Sequence, residues 1–212
     1  FNERERIANV LDHLALLDVT TVVVDDGSRD GSADVAAEGA SWVVKHGLNL
    51  GQGAAIQTGI TFALSRGAEV IVTFDADGQH DPADVANLVA ALDVHDADFA
   101  LGSRFIGEAP GIPWTRALVL KLGVLFTRSF SGIAITDTHN GLRAMTRRGA
   151  EHVCLTLNRM EHASELLDQV VASGLRFVEV PVCIRYTEAS LAKGQKSAAA
   201  VRMAAKLMAE RI

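Results

Sequence analysis

The feature that most constrains this chain is a regular alternation of helical segments with short, β-branched apolar runs. Apolar side chains recur from Ile7 to Leu17 at the spacing of one helix face. The run that follows, residues 21–24, is short and rich in valine, as is typical of a buried parallel strand. The same alternation continues with predicted helices at 33–38, 53–65 and 82–92 and predicted strands at 42–44, 70–74 and 97–101. It predicts an α/β fold whose open, mostly parallel sheet carries helices on both faces.

The length of 212 residues suits one core, and no proline- or serine-rich linker divides the chain. We therefore expect a single domain across residues 1–212. In the second half, helices are predicted at 149–154, 161–173 and 198–208, with a strand at 177–182. The helical pattern begins at Glu5, only four residues after Phe1. We therefore also expect a first strand of the sheet ahead of residue 1.

Acidic residues directly follow two of the predicted strands. Asp25 and Asp26 end the first strand, and a second group, Asp75, Asp77 and Gln79, ends a later one. In an open α/β sheet, ligands bind beyond the carboxyl ends of the strands. Clustered carboxylates repel unless a cation lies between them, and Asp and Gln oxygens suit Mg²⁺ or Mn²⁺. The alternative is that the Asp-Gly pairs in these segments form ordinary turns.

Composition argues against several classes of protein. A net charge of −6 disfavours nucleic-acid binding, and an acidic protein that handles phosphates needs a cation. Cys154 and Cys183 lack the spacing of a metal site, which indicates reduced thiols in a cytoplasmic protein. We expect neither a signal peptide nor a membrane-spanning helix. A haloacid-dehalogenase-type phosphatase would need Thr or Val where this chain has Gln79.

Seven motifs occur in a fixed order along nearly the whole chain. They are Phe1-Asn2-Glu3, Val24-Asp25-Asp26-Gly27-Ser28 with Asp30-Gly31-Ser32, Asn49-Leu50-Gly51-Gln52-Gly53-Ala54-Ala55, Asp75-Ala76-Asp77-Gly78-Gln79-His80, Gly102-Ser103-Arg104-Phe105, Asp137-Thr138-His139-Asn140-Gly141-Leu142-Arg143 and Glu179-Val180-Pro181-Val182. This ordered set resembles the family-2 glycosyltransferases of the GT-A fold, close to the dolichyl- or polyprenyl-phosphate sugar synthases. The resemblance implies an inverting, metal-dependent transferase that moves a sugar from GDP-mannose or a UDP-sugar to a polyprenyl phosphate. The alternatives are transfer to a saccharide hydroxyl and a non-catalytic module that binds nucleotide sugars.

The resemblance also implies roles for individual positions. The residues implied to bind the nucleotide sugar are Phe1, Glu3, Val24, Asp26, Ala54, Asp75, Ala76, Asp77, Gln79, Arg104, Arg185 and Lys193. Among them, Asp75, Asp77 and Gln79 would hold Mg²⁺ or Mn²⁺ on the diphosphate, where negative charge accumulates as the sugar leaves. The spacing after Arg185 departs from the family, so Lys196 is an alternative to Lys193.

Three residues are implied to act in the catalytic step, namely Asp77, Arg104 and Asp137. Arg104 follows a predicted strand, from which its guanidinium can grip a phosphate with two hydrogen bonds. The alternative for Arg104 is a surface arginine in a loop. Asp137 has two readings as well, because an acid here can deprotonate a saccharide acceptor, whereas a phosphate acceptor is already ionised. In the second case Asp137 orients the acceptor or caps a turn.

The stretch 110–136 has no acidic residue but contains Arg116, Lys121 and Arg128 among many apolar side chains. This composition is typical of a helix in a membrane interface and equally of a core helix whose basic residues reach solvent. In similar synthases a basic residue of this region meets the lipid phosphate, and Arg116 holds the matching place. Arg104 and Arg116 are therefore the expected acceptor-binding pair. We expect a peripheral protein at the cytoplasmic face of the membrane, with a small membrane protein as a candidate anchor.

Overall fold

The computed structural model describes residues 1–131, 133–159 and 161–186. In this part of the chain, helices and strands alternate through most of the sequence. The helices are α1 (Arg4–Leu14), α2 (Ser32–Gly39), α3 (Gln52–Ser65), α4 (Ala83–Val94), α5 (Trp114–Ser131), α6 (Arg147–Glu151) and α7 (His162–Ser173). The strands are β1 (Val22–Asp25), β2 (Trp42–Lys45), β3 (Val70–Thr73), β4 (Phe99–Glu108), β5 (Arg143–Thr146) and β6 (Phe177–Cys183).

The strands form two hydrogen-bonded groups. β1 and β2 pair in parallel, with Val22 opposite Trp42 and Asp25 opposite Lys45. The other four strands form a sheet in the order β3-β5-β4-β6. β6 runs parallel to β4, whereas β5 lies between β3 and β4 and runs antiparallel to both. The four-stranded sheet is therefore mixed in direction.

Helices cover both faces of the four-stranded sheet, which confirms the predicted α/β fold. On one face, Phe99 of β4 packs in a core with Ile60 of α3 and Leu166 of α7. On the other face, the neighbouring Ala100 packs in a second core with Leu88 of α4. Neighbouring β4 residues thus enter opposite cores, as expected where successive strand side chains point to opposite faces. α1 and α2 cover β1 and β2 with a third, smaller cluster.

β5 is a strand that the sequence did not predict. Its residues, Arg143–Thr146, include a charged side chain and no β-branched apolar run, so they lack the pattern of a buried strand. Arg143, Ala144 and Met145 are nevertheless buried, because β5 fills the place between β3 and β4. Its antiparallel direction makes the sheet more mixed than the alternation of helices and strands indicated.

Most other predicted elements occur with ends that differ by one or two residues, as is usual for element boundaries. β4 is longer than predicted, since β6 pairs with it as far as Glu108. α6 starts earlier than its predicted start at 149 because the Thr146 side chain accepts a hydrogen bond from the Gly149 N–H and caps the helix there. The helix predicted at 198–208 lies outside the described residues.

An open cleft separates the two groups of strands. β1 and β3 each have one edge without a strand partner in the described ranges. Residues of both strands, from Val22 to Val24 and from Val70 to Thr73, line one cavity of about 1700 Å³. Apolar residues of α1 and α3, among them Leu11 and Ile56, line the same cavity. The cleft runs to the carboxyl ends of β1 and β3, where the acidic residues lie.

α5 carries an exposed apolar stripe. Trp114, Leu118, Leu122 and Leu125 are 77%, 50%, 56% and 62% exposed. Their spacing of three or four residues places them on one side of the helix. None of the described helices, α5 included, combines the length and apolar character needed to cross a membrane.

Candidate active site

One cavity collects most of the residues assigned from the sequence. Ten of them line it, namely Phe1, Glu3, Val24, Asp26, Asp75, Ala76, Asp77, Gln79, Arg104 and Arg116. Ala54, Asp137 and Arg185 are not among its lining residues. Lys193, with its alternative Lys196, lies outside the described residues. The structure thus brings most of the predicted donor residues and both predicted acceptor arginines to a single cavity.

At the end of β1, the carboxylate of Asp26 is surrounded by hydrogen-bond partners from the protein. Its Oδ1 accepts from the Leu50 N–H at 2.9 Å and lies 2.8 Å from His46 Nδ1, while Oδ2 accepts from the Gly51 N–H at 2.7 Å. Burial acts to raise the pKa of Asp26, but these hydrogen bonds outweigh it and hold the pKa below its ordinary value. Asp26 therefore stays charged and fastens the loop at 46–51, which leads into α3, to the end of β1.

Asp75, just after β3, is also held by groups of the chain. Its Oδ1 accepts from Gln52 Nε2 at 2.9 Å, and its Oδ2 lies 3.3 Å from His80 Nε2. Desolvation acts to raise the pKa of Asp75, but His80 and the charge of Arg143 bring it below the ordinary value. A Cβ atom on Gly141 would stand 2.3 Å from Asp75 Oδ2, so the carboxylate needs a glycine at that position.

Asp77 is compensated less completely than these two acids. Its Oδ1 accepts from the Gln79 N–H at 3.0 Å. Desolvation raises the pKa of Asp77, and the negative charge of Asp75 raises it further, so that the pKa lies above its ordinary value. A nearby positive charge would stabilise the ionised form of this carboxylate.

The acidic end of β3 fits a divalent cation that is shared with a ligand. Within the described ranges, no group of three or more His, Cys, Asp or Glu side chains is placed to hold a metal by itself. In phosphate sites, however, Mg²⁺ is usually held by one or two carboxylates and by oxygens of the substrate phosphates. Asp77, with Gln79 beside it and Asp75 near it, could supply the protein side of such a site.

Arg104 and Asp137 form a buried ion pair next to the cavity. Arg104 Nε donates to Asp137 Oδ2 at 2.6 Å, and the Arg104 backbone N–H donates to the same oxygen at 3.1 Å. Asp137 Oδ1 accepts from the His139 N–H at 3.2 Å. The guanidinium also donates to the His139 carbonyl at 3.0 Å and to the Tyr186 hydroxyl. Because both Asp137 oxygens accept from the chain itself, the geometry favours the orienting role over that of an acceptor base.

Glu179 of β6 fixes the turn that carries Asp137. Its carboxylate accepts from the Thr136 N–H at 2.8 and 3.0 Å, from Thr136 Oγ1 at 2.9 Å and from the Asp137 N–H at 3.3 Å. Glu179 lies opposite Leu101 in the pairing of β6 with β4. The pairing that places Glu179 therefore also places Asp137 and, through it, Arg104.

Two further titratable residues, Arg143 and His139, lie beside these acids, and His139 lines the cavity. Arg143 is buried, and this burial lowers its pKa to about 10, although Asp75 and Asp137 act in the opposite direction. Arg143 therefore provides a positive charge that interacts electrostatically with Asp75 and Asp137. Burial lowers the pKa of His139 to about 4, so that its ring is neutral at pH 7.

Arg116 and Arg185 have different surroundings. The Arg116 guanidinium lies 5.2 Å from the centroid of the Tyr186 ring, within the range of a cation–π contact. Arg185 Nη2 donates to Asp81 Oδ2 at 2.7 Å, and the Arg185 N–H donates to the Gln79 carbonyl at 2.9 Å. Arg185 is thus tied to the loop that carries Gln79, whereas Arg116 lines the cavity.

Several residues in these contacts were not assigned from the sequence, among them His46, Gln52, His80, Glu179 and Tyr186. His80 contacts Asp75 within one loop, and the other four contact an assigned residue or its turn from a separate part of the chain. Gln52, His80 and Glu179 lie inside the recognised motifs, and this membership was the available signal. His46 directly follows β2 and Tyr186 closely follows β6, so their position after a strand was the signal in those cases.

Comparisons with known proteins identify the family of this chain. Residues 1–154 match Glycosyl transferase family 2. The chain is 33% identical to the polyprenol monophosphomannose synthase of Mycolicibacterium smegmatis, over 99% of this chain and 83% of that protein. It is 32% identical to the UDP-N-acetylglucosamine--dolichyl-phosphate N-acetylglucosaminyltransferase of Methanococcus voltae, over 92% of this chain and 86% of that protein.

A solved structure shares the fold. The glucosyl-3-phosphoglycerate synthase of Mycobacterium tuberculosis, in complex with Mn²⁺, UDP and phosphoglyceric acid, matches with a TM-score of 0.68. The match covers 96% of this chain and 75% of that one at 18% sequence identity. The family match spans well over half of the chain, and its ordered motifs meet at one cavity. The protein belongs to the family-2 glycosyltransferases.

Proposed function

We propose that this glycosyltransferase transfers a hexose from a nucleotide diphosphate sugar to a polyprenyl phosphate. The observation that carries the proposal is a single cavity that joins the acidic end of β3 to Arg104 and Arg116. The acidic end suits a diphosphate with its cation, and the two arginines suit a second phosphate. The relatives named for polyprenol and dolichyl phosphate support this acceptor. Their names give different sugars, so GDP-mannose and UDP-sugars are both candidate donors.

The donor nucleotide lies along the carboxyl ends of β1 and β3 in this proposal. Phe1, Glu3 and Val24 line the part of the cavity beside β1 and suit the base and ribose. Asp26 is enclosed by the chain, so it shapes this part of the cavity through the loop that it holds. Ala76, between the two acids that follow β3, lies along the path of the nucleotide.

The proposal includes Mg²⁺ or Mn²⁺ on the donor diphosphate. Asp77 and Gln79 would hold the ion, with Asp75 beside them, and the bound ion would neutralise the charge that collects on the leaving diphosphate. The raised pKa of Asp77 supports this assignment, because its carboxylate lacks a compensating positive charge in the protein alone.

The acceptor phosphate requires no general base, because it is ionised at neutral pH. One of its oxygens attacks the anomeric carbon opposite the diphosphate, a new carbon–oxygen bond forms, and the bond to the diphosphate breaks with inversion. Arg104 and Arg116 hold the acceptor phosphate and orient the attacking oxygen. Asp137 keeps Arg104 in place for this step.

We further propose that the protein works peripherally, at the cytoplasmic face of a membrane, with α5 at the lipid surface. The exposed stripe of α5 and the lack of any acid at 110–136 support this placement, since anionic headgroups attract Arg116, Lys121 and Arg128. A small membrane-protein anchor would be compatible with the same placement. Leu118→Glu is expected to weaken sedimentation with anionic vesicles, whereas Leu16→Glu, at an exposed leucine outside α5, should not. Equal binding by both variants would rule out α5 as the contact.

We also propose that a further strand, ahead of residue 1, occupies the open cleft between β1 and β3. An extended segment between β1 and β3 would pair with both free edges and cover their valines. Hydrogen bonds from the Asn2 N–H to Ser28 Oγ and from the Glu3 N–H to Ser32 Oγ, both 2.9 Å, hold the chain at the mouth of this cleft. A chain that carries such a strand should unfold at a higher temperature than residues 1–212 alone. An unchanged unfolding temperature would count against it.

The test of the function is release of nucleoside diphosphate from a panel of GDP- and UDP-sugars with Mn²⁺ or Mg²⁺. Each donor is assayed alone, with a short polyprenyl phosphate and with saccharide acceptors. Metal-dependent release that requires the lipid is the expected result. Release with saccharides only would show that the acceptor is a saccharide instead of a lipid phosphate. Nucleotide binding without release of nucleoside diphosphate would favour a non-catalytic binding module.

A matched pair of arginine variants sharpens this test. Arg116 and Arg66 both line the cavity beside an aromatic ring, but Arg66 stacks on Trp42 near the amino end of β3. Arg116→Gln should raise the KM for the lipid phosphate and leave nucleotide binding unchanged, since it removes one of two phosphate-binding cations. Arg66→Gln should change neither quantity. Equal effects of the two substitutions on the KM for the lipid phosphate would contradict the assignment of Arg116 to the acceptor site.

A further inference from the structure

Tyr186 joins the two arginines of the proposed acceptor site. Its hydroxyl accepts a hydrogen bond from Arg104 Nη1, and its ring lies under the guanidinium of Arg116. The Tyr186 side chain is buried and is not among the residues that line the cavity, whereas both arginines are. Tyr186 can therefore act on a bound ligand through its contacts with Arg104 and Arg116.

The backbone fixes Tyr186 between two parts of the site. The Tyr186 N–H donates to the Pro110 carbonyl at 3.0 Å, and a Cβ atom on Gly111 would stand 2.6 Å from the Tyr186 carbonyl oxygen. Pro110 and Gly111 lead into α5, which carries Arg116. Just before Tyr186, Ile184 forms a β-bridge with His80. The segment at 184–186 thus connects the loop after β3 to the start of α5.

The charges around Tyr186 leave room for an anion. Asp137 balances Arg104 through a buried ion pair. In the described part of the chain, no ion pair involves Arg116, whose contact is with the Tyr186 ring. Both guanidiniums contact the Tyr186 side chain, so an anion held between them would meet two positively charged groups. The uncompensated charge of Arg116 makes a phosphate ester a suitable ligand.

We propose that Tyr186 is a positioning residue that holds Arg104 and Arg116 in the arrangement that binds the acceptor phosphate. The inference rests on the proposed function. The hydroxyl sets the orientation of Arg104, and the face of the ring sets that of Arg116. The two contacts can be separated, since phenylalanine keeps the ring and loses the hydroxyl, whereas leucine loses both.

The test compares Tyr186→Phe and Tyr186→Leu with the unaltered protein. The Phe variant should raise the KM for a short polyprenyl phosphate about tenfold, because one hydrogen bond to a charged group is lost. The Leu variant should raise it further, to roughly fiftyfold, as the cation–π contact is lost as well. The dissociation constant for nucleoside diphosphate with Mn²⁺ should stay the same in both. Phe62→Leu, which removes a ring that lies 5.1 Å from Arg66, is the matched control and should alter none of these quantities.

A double variant distinguishes positioning from a general structural role. In an Arg104→Gln background, Tyr186→Phe should have no further effect on the KM for the acceptor, since the hydroxyl acts through Arg104. Unchanged acceptor KM in Tyr186→Phe alone, or a parallel loss of nucleotide affinity, would overturn the inference. So would additive effects in the double variant.

Direct binding separates this inference from the proposed function. Calorimetry with geranyl monophosphate, in the presence of nucleoside diphosphate and Mn²⁺, needs no turnover. If the unaltered protein binds this probe more tightly than Tyr186→Phe yet transfers no sugar to lipid, the positioning role holds and the proposed acceptor fails. If transfer to lipid occurs and both proteins bind the probe equally, the function holds and the role of Tyr186 fails.

Discussion

The carboxyl ends of β1 and β3 carry the same type of residue, but their acids are compensated in different ways. Asp26, after β1, receives the Leu50 and Gly51 N–H groups and a contact from His46. Asp77, after β3, accepts a hydrogen bond from one backbone N–H and is repelled by the negative charge of Asp75. The pKa of Asp26 therefore lies below its ordinary value, and that of Asp77 lies above it.

This difference supports the proposal that Asp26 anchors a loop and that Asp77 binds the ligand's cation. Both carboxylate oxygens of Asp26 have hydrogen-bond partners in the protein, and these bonds stabilise the loop that precedes α3. The Asp77 carboxylate accepts one backbone N–H, and a bound cation would compensate its negative charge. Two acids in similar sequence motifs can thus be told apart by the donors that the fold brings to each.

The largest expected effect is that of Asp77→Asn on catalysis. Loss of this carboxylate should lower kcat by roughly 10²–10³-fold, the range seen when one group that stabilises developing charge is removed. The assay is metal-dependent release of nucleoside diphosphate, with the thermal unfolding temperature as the control for folding. Activity close to that of the unaltered protein would exclude Asp77 as a metal ligand.

Asp26→Asn should act on stability. The amide nitrogen of asparagine would face at least one donor, so the free energy of unfolding should fall by about 2 kcal/mol. Urea unfolding measures this change, and Asp77→Asn serves as the comparison, since it should cost much less stability. An equal loss in both variants would contradict the contrast between anchor and ligand-binding acid.

Gly141→Ala should displace Asp75, because the new Cβ would stand 2.3 Å from Oδ2. Overpacking of this kind typically costs ~1–3 kcal/mol, and we expect about tenfold weaker nucleotide binding. Gly47→Ala is the matched control, since nothing lies within 4 Å of a Cβ at that glycine. The effect of Gly141→Ala should disappear in an Asp75→Ala background. If it persists there, Asp75 is not its cause.

The smallest expected effect is the pH dependence of stability that Asp26 contributes. Because its pKa in the folded protein is below the ordinary 3.8, its contribution is full above that value and is lost as the pH falls through the lowered pKa. The stability difference between the unaltered protein and Asp26→Asn should therefore be present at neutral pH and shrink as the pH falls below about 4. Urea unfolding across this range checks the sign. A difference that grows on acidification would mean that Asp26 is not held as the contacts indicate.

The sequence predicted the features that local patterns encode. Short valine runs predicted β1 and β3, helical spacing predicted α1 and α3, and the residues after the strands predicted the edge at which Asp75 and Asp77 lie. Each of these signals lies within a window of a few residues.

The remaining features depend on contacts between distant residues. β5 is a strand because Val70 and Thr146 become neighbours, and its own four residues give no such indication. Glu179 reaches the turn at Thr136 because β6 pairs with β4. The role of Tyr186 depends on the same pairing, which brings the chain back beside Arg104. Such contacts can be named only once the order of the strands is known.

The central place of β5 has a consequence for how the protein is made. β3 and β4 are synthesised well before β5, yet Ile71 and Phe99 both pair with Met145. Until that residue has left the ribosome, the two strands lack the neighbour that joins them. The acids that follow β3 and Arg104 on β4 are therefore joined in one sheet only when β5 is in place. A nascent chain that stops before β5 contains the Asp75–Asp77 motif and Arg104 but has no assembled active site.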